Sequence, residues 1–130
     1  MTTKVLLVDD NQTFIASLRL FLGMLPDMEV VGEASNGLEA VNQASRLQPD
    51  LALLDIALPQ MNGLEVARRL QSLPRPPSII FVSIHDEAHY REAAADLGVA
   101  GYVSKADFVT ELFPIVTRMA GDRPAGLRLN

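Results

Sequence analysis

Short apolar runs alternate with amphipathic segments along the chain. Five short runs rich in apolar residues are typical of strands, and they lie at 4–8, 28–34, 51–54, 78–83 and 101–104. Five segments carry apolar residues at helical spacing, and they lie at 12–25, 37–47, 63–73, 87–97 and 108–119. Strands and helices are therefore predicted to alternate strictly.

This alternation predicts an α/β fold in which a parallel sheet is covered by helices on both faces. Five such units match the flavodoxin-like doubly wound fold, whose five-stranded parallel sheet has the strand order 2-1-3-4-5. We expect one domain over 1–120. The segment 121–130 has two glycines, a proline and no apolar periodicity, and it is interpreted as a linker or tail.

Composition narrows the possible functions. With 130 residues, of which 48% are hydrophobic, the chain can form one domain with its own core. The net charge of -5 repels phosphates, so the chain by itself is a poor DNA binder. The chain has no cysteine, no signal-peptide pattern and no apolar run of about 20 residues, so we expect a cytoplasmic protein without membrane contact.

Polar residues follow the predicted strands at the positions where doubly wound sheets bind ligands, beyond the carboxyl ends. These residues are Asp9, Asp10, Asp55, Ser83 and Lys105. The first and third strands are neighbours in this topology, so the three aspartates converge. Carboxylates about 4 Å apart repel by several kcal/mol at an effective dielectric of about 20. Either some are protonated or a hard cation neutralises them, and an all-oxygen site suits Mg²⁺ best.

The same edge of the sheet carries groups that suit phosphoryl transfer. Lys105 adds a positive charge, and Ser83 adds a hydroxyl that can donate to an oxyanion. Carboxylates, a cation, an ammonium and a hydroxyl together stabilise a transferring phosphoryl group. An aspartate can itself be the nucleophile and form an acyl phosphate.

Three motifs lie in order along the chain: VLLVDDN at 5–11, DIALPQMNG at 55–63 and GYVSK at 101–105. They resemble the acidic opening, the phosphorylation motif and the final strand of the receiver domains of two-component response regulators. The resemblance extends from about Lys4 to Met119, so the predicted domain over 1–120 is identified as a receiver. The stretch at 29–37 is similar to NarL/LuxR-type receivers, whose full-length forms carry a DNA-binding helix-turn-helix after a linker.

The resemblance implies that Asp55 is the phosphorylation site and accepts a phosphoryl group from a phosphohistidine on a sensor histidine kinase. It implies that Mg²⁺ is bound by Asp10, Asp55 and the Ile56 carbonyl, and by Asp9 through water. Asp55 and Lys105 are the implied catalytic residues. No enzyme activity is expected beyond self-phosphotransfer and autodephosphorylation.

The resemblance also implies how the phosphoryl group is bound and detected. Lys105 and Ser83 bind its oxygens, the amides of Ala57 and Ile84 complete the oxyanion cradle, and Tyr102 reports the state by moving inward or outward. Phosphorylation then switches a partner or homodimer interface. DNA is bound only through an output domain that is missing from this chain.

Two positions depart from the family pattern. Ile84 stands where the family usually has a small residue such as alanine, and its branched side chain is expected to crowd the entrance to Asp55. Ala106 follows Lys105 where many receivers have a cis proline. A cis bond before a non-proline residue costs about 2.5–4 kcal/mol, so a trans bond is expected.

Other functions are open for the same residues. The chain could be a stand-alone receiver, or a pseudo-receiver that serves only as an interaction module. A phosphohydrolase with an aspartyl nucleophile usually has an acid two residues after the nucleophile, and Ala57 at that position disfavours it. Tyr102 could be a packing residue rather than a switch. His85 and His89 have the spacing of a zinc pair, but the sequence offers no third ligand, so a partly exposed pair is favoured.

Overall fold

The computed structural model describes residues 2–85 and 88–121, in which five strands alternate with five helices. The strands are β1 (Thr3–Val8), β2 (Met28–Ala34), β3 (Leu51–Leu54), β4 (Ser78–Ser83) and β5 (Gly101–Ser104). The helices are α1 (Gln12–Gly23), α2 (Gly37–Leu47), α3 (Gly63–Gln71), α4 (Ala88–Asp96) and α5 (Phe108–Gly121). The tail predicted at 121–130 lies outside the described residues except for Gly121, so the domain boundary stays a prediction.

The five strands form one parallel sheet in the order β2-β1-β3-β4-β5, which confirms the predicted fold. The register pairs Val8 with Leu54, Leu54 with Phe81 and Ser83 with Ser104. The carboxyl ends of β1, β3, β4 and β5 therefore lie along one edge of the sheet. The residues that follow these strands are brought together there.

The core has two layers because both faces of the sheet are covered. Alternate residues of β1 point to opposite faces: Leu6 and Val8 belong to one layer, and Val5 and Leu7 to the other. The first layer contains α2 and α3 residues, many of them alanine, and the second contains α1 and α5 residues. No helix among the described residues is both long enough and apolar enough to span a bilayer.

Asparagine side chains begin three of the helices. The side chains of Asn11, Asn36 and Asn62 accept hydrogen bonds from the amides three residues later, at the starts of α1, α2 and α3. Such caps satisfy backbone amides that have no partner inside the helix. Asn11 follows the acidic pair directly, so α1 begins immediately after the site.

Two helices end two residues earlier than the sequence predicts: α1 ends at Gly23 rather than at 25, and α3 at Gln71 rather than at 73. In each case the chain tightens into a turn before a proline. In α1, for example, the amide of Leu25 donates to the carbonyl of Leu22 at 3.0 Å. The residue before a proline is disfavoured in helical conformation, so the helix stops short.

Candidate functional site

Three aspartates converge at the edge of the sheet where the strands end. Asp9 and Asp10 follow β1, Asp55 follows β3, and carboxylate oxygens of all three lie within 4.8 Å of one another. Backbone bonds fix this arrangement: the amide of Asp9 donates to Ala34 at 3.0 Å, and that of Asp55 to Val8 at 2.9 Å. Asp9 and Asp55 are only 2% and 5% exposed, whereas Asp10 is exposed. The predicted convergence is confirmed.

Lys105 contacts two of these acids. Its Nζ lies 2.7 Å from Oδ2 of Asp9 and 3.2 Å from Oδ2 of Asp55. The backbone amide of Lys105 donates to the carbonyl of Ser83 at 2.9 Å, which fixes the start of its loop at the end of β4. No peptide bond in the described part of the chain is cis, so the bond between Lys105 and Ala106 is trans, as predicted.

The other oxygen of each buried carboxylate faces its own loop. Oδ1 of Asp9 accepts a hydrogen bond from the amide of Asn11 at 2.8 Å, and Oδ1 of Asp55 accepts one from the amide of Ala57 at 3.1 Å. Local bonds of this kind are typical of aspartate in turns. They orient both side chains so that Oδ2 points to Lys105. The predicted role of the Ala57 amide toward phosphate stays a prediction.

The loop after Asp55 packs against the start of α3. The carbonyl of Ile56 accepts a hydrogen bond from the amide of Gly63 at 2.7 Å. One lone pair of that carbonyl remains for a metal, so Ile56 as a ligand stays a prediction. A Cβ atom on Gly63 would lie 2.6 Å from the carbonyl oxygen of Asp55, which explains why a glycine follows Asn62 in this motif.

The loop after β4 begins at Ser83. The Ser83 side chain is buried, and its Oγ accepts a hydrogen bond from the amide of His85 at 3.0 Å. The side chain of Ile84 between them is 74% exposed. The structure thus places Ser83 at the predicted edge of the sheet, while its role toward phosphate and that of the Ile84 amide stay predictions.

Tyr102 joins β5 to the loop after β4. Its hydroxyl donates to the carbonyl of His85, and its ring lies 6.0 Å from that of Phe81. The Arg91 guanidinium lies 4.7 Å from the centroid of the Tyr102 ring, and its Nη1 donates to the Tyr102 carbonyl at 3.3 Å. The sequence did not indicate this arginine. Whether Tyr102 moves as a switch stays a prediction.

The two histidines lie beside one aromatic ring. His85 and His89 have ring centroids 5.6 and 4.3 Å from that of Tyr90. His85 precedes α4 and is half-buried, whereas His89 lies within α4 and is exposed. Within the described residues, the aspartate cluster is the only group of three or more potential metal ligands.

Burial and neighbouring groups change the pKa values of Asp55 and Lys105. Burial raises the pKa of Asp55 above its ordinary value, and the charge of Asp9 adds to the rise, although the Ala57 amide and Lys105 oppose it. Burial lowers the pKa of Lys105, but its hydrogen bond to Asp9 and the charge of Asp55 outweigh this, so the pKa is raised. The ammonium is therefore charged at neutral pH.

The donor set fits a hard divalent cation. All of its members are carboxylate oxygens. Because they lie close together, the negative charge of Asp9 opposes ionisation of Asp55. A small cation between these oxygens would remove that repulsion. Oxygen donors with an exposed side for water are the surroundings that Mg²⁺ prefers.

The fold and this site define the class of protein. The family model for the response regulator receiver domain matches residues 5–116, and the chain belongs to this family. It is 35% identical over 120 residues to the response regulator protein VraR from Staphylococcus aureus, covering 91% of this chain and 56% of VraR. The signal receiver domain of NarL from Mycobacterium tuberculosis is 32% identical with a TM-score of 0.84, covering 94% of this chain and 98% of that domain. These two relatives are NarL/LuxR-type response regulators, as predicted.

The chain spans about half the length of several curated relatives that it matches. A protein-glutamate methylesterase/protein-glutamine glutaminase from Alkalilimnicola ehrlichii is 36% identical over 106 residues, which cover 81% of this chain and 27% of that protein. The similarity to this enzyme thus concerns about a quarter of it. No enzyme activity of this chain follows from the similarity.

Proposed function

We propose that this chain is the phosphoacceptor module of a two-component response regulator, and that Asp55 receives a phosphoryl group from a phosphohistidine of a sensor histidine kinase. The observation that carries this proposal is the meeting of three carboxylates with the Lys105 ammonium at one edge of the sheet. Phosphoryl transfer depends mainly on positioning and charge stabilisation, and this arrangement provides both.

The carboxylate of Asp55 is the nucleophile in this proposal. One of its oxygens forms a bond to phosphorus while the bond from phosphorus to the histidine nitrogen breaks, which leaves an acyl phosphate and a free imidazole. The Ala57 amide holds Oδ1 and leaves Oδ2 on the side of Lys105. The Lys105 ammonium, the Ser83 hydroxyl and the Ile84 amide then stabilise the phosphoryl oxygens. The Ala57 amide joins them by exchanging its bond to Oδ1 for a bond to a phosphoryl oxygen.

Asp10 and Asp55 would hold Mg²⁺, with Asp9 acting through water and the Ile56 carbonyl as a further oxygen ligand. When bound, Mg²⁺ supplies positive charge that neutralises the carboxylates and the phosphoryl oxygens. Asp10 is the exposed member of the cluster, so it borders the solvent from which the ion enters.

Magnesium is expected to stabilise the folded chain. A ligand that binds only the folded state raises the free energy of unfolding by about 2.7 kcal/mol at a concentration of 100 times its Kd. Thermal unfolding monitored by circular dichroism should show this rise, and Asp10→Asn should remove most of it. Asp27→Asn, which changes an exposed acid at the opposite edge of the sheet, is the control. If Mg²⁺ did not change the unfolding temperature of the unmodified chain, the proposed metal site would be contradicted.

The proposed function is tested by incubating the chain with Mg²⁺ and acetyl phosphate and locating any adduct by mass spectrometry. A lasting adduct on Asp55 supports the phosphoacceptor function. Rapid multiple turnover without a lasting adduct supports a phosphohydrolase, and no reaction supports a pseudo-receiver.

Ile84 is expected to slow access to Asp55. Because its branched side chain replaces a small residue beside the phosphoryl-binding Ser83, Ile84→Ala should raise the rate of phosphorylation or of dephosphorylation about fivefold, which corresponds to about 1 kcal/mol of barrier. Radiolabelled phosphotransfer measures both rates. Leu38→Ala, which removes another exposed apolar side chain, is the control. Equal rates for Ile84→Ala and the unmodified chain would refute the prediction.

The partners follow from the proposed function. We propose that the receiver switches a homodimer or partner interface and acts in the cytoplasm. In the full-length protein it controls a DNA-binding output domain, because the chain spans about half of its regulator relatives and its own net charge of -5 disfavours DNA. Apart from its own phosphorylation and dephosphorylation, the chain catalyses no reaction in this proposal.

A further inference from the structure

We propose that Phe14 is a positioning residue for Lys105 and holds its ammonium beside Asp55 during phosphoryl transfer. This inference rests on the proposed function, and it concerns a residue for which that function requires no role. It follows from two observations, the contact between the two side chains and the support of the Phe14 ring by its neighbours, and from the general flexibility of a lysine side chain.

The contact places the charge of Lys105 at the aromatic face. Nζ of Lys105 lies 4.7 Å from the centroid of the Phe14 ring. The same nitrogen lies 2.7 Å from Asp9 and 3.2 Å from Asp55. The ammonium is thus surrounded by two carboxylates and one ring. A cation this close to a ring is attracted by the negative charge on the aromatic face, and the attraction is strongest away from water.

Neighbouring elements hold the ring itself. The amide of Phe14 donates to the cap Asn11 at 3.1 Å, which fixes this first turn of α1 next to the acidic pair. The Phe14 and Phe108 rings form a T-shaped pair with centroids 5.1 Å apart, and Phe108 and Phe21 form another with centroids 5.8 Å apart. Phe108 is the first residue of α5 and follows the loop that contains Lys105. This aromatic cluster of Phe14, Phe108 and Phe21 therefore links α1 to that loop.

The Phe14 ring is needed because a lysine side chain is flexible and its other two contacts change during the reaction. Lysine is a point charge on a flexible four-carbon stem, and its carboxylate partners are the groups that react or would bind metal. When Asp55 changes its charge and shape, those bonds change with it. The Phe14 face takes no part in the transfer and stays in place. It therefore keeps the ammonium at the site throughout the reaction.

The first test is a double-mutant cycle with Phe14→Leu, Lys105→Met and the double variant, measured as the rate of phosphorylation by acetyl phosphate with Mg²⁺. Leucine keeps an apolar side chain but removes the aromatic face. We expect Phe14→Leu to slow the reaction about 3- to 30-fold when Lys105 is present, and to have no further effect when it is absent. Equal losses in both backgrounds would overturn the inference, because they would show a merely structural role.

Two further variants separate the aromatic face from general packing. Phe14→Tyr keeps the face and is expected to react within about twofold of the unmodified chain. Phe21→Leu alters the other end of the same aromatic cluster and is expected to leave the rate of phosphorylation unchanged. A loss in Phe21→Leu equal to that in Phe14→Leu would also overturn the inference.

A second readout does not require phosphorylation. Protons above an aromatic face are shifted upfield, so the terminal methylene signals of Lys105 in an NMR spectrum should lie upfield in the unmodified chain and in Phe14→Tyr. They should move to ordinary positions in Phe14→Leu. Unchanged Lys105 signals in Phe14→Leu would overturn the inference, whereas an unmodified chain that forms no adduct would count against the proposed function.

Discussion

Asp55→Asn is expected to abolish phosphorylation by acetyl phosphate and, in magnesium-free buffer at neutral pH, to make the folded chain more stable. Asparagine lacks the nucleophilic carboxylate but keeps an oxygen that can accept the bond from the Ala57 amide. It also removes a buried charge whose ionisation is opposed by burial and by Asp9. The free energy of unfolding should therefore rise, and each 1 kcal/mol of gain corresponds to about 4 °C in unfolding temperature.

The pH dependence of this gain follows from the raised pKa of Asp55. The folded chain binds the proton more tightly than the unfolded chain, so ionised Asp55 opposes folding at a pH above its folded pKa. The advantage of Asp55→Asn is therefore complete in that range. It shrinks as the pH falls toward the ordinary value of 3.8.

Thermal unfolding of both chains between pH 4 and pH 8 measures this difference. Asp27→Asn, which removes an exposed acid far from the site, is the control. A less stable Asp55→Asn at neutral pH would show that the bond to Lys105 outweighs the cost of burial. A remaining adduct in this variant would place the phosphoryl group elsewhere.

Gly63→Ala is expected to destabilise the chain by about 1–3 kcal/mol, as overpacking does, and to slow phosphorylation. In most helices alanine is preferred to glycine by about 1 kcal/mol. Here the added Cβ would lie 2.6 Å from both the Asp55 carbonyl oxygen and the Ile56 α-carbon. Both contacts are with backbone, so the loop that carries the nucleophile must shift.

Gly23→Ala is the matched control for this variant. Gly23 is also a helical residue, and a Cβ there meets nothing within 4 Å. We expect it to leave the phosphorylation rate unchanged and to leave the free energy of unfolding unchanged or slightly higher. Chemical denaturation and the acetyl phosphate reaction measure both properties. If Gly63→Ala behaved like Gly23→Ala, the close approach of α3 to the Asp55 loop would not be a constraint.

The sheet and the acidic cluster could be predicted because simple patterns determine them. Apolar residues at successive positions in β3 and β4 require cover on both faces, which leaves few topologies. Once β1 and β3 are neighbours, the acids after them have to meet. The prediction for Asp9, Asp10 and Asp55 thus depended on topology and not on side-chain detail.

Packing between distant segments determines the features that the sequence did not show. The contact of Phe14 with Lys105 joins residues far apart in the chain, and helical spacing indicated only that Phe14 faces inward. Arg91 on the Tyr102 ring and the close approach of Gly63 to Asp55 join residues that are nearer in the chain, but they too depend on how the folded elements pack. The early end of α1 is a local effect, but it depends on how the last turn tightens before Pro26.

The bonds from Lys105 to Asp9 and Asp55 mean that the domain carries a tethered counter-ion of its own. Whenever no divalent ion balances the acids, this side chain offsets part of their charge. In the proposed metal site, an entering Mg²⁺ would compete with this ammonium for the carboxylate oxygens. Such competition would favour a modest affinity for the ion and its ready release.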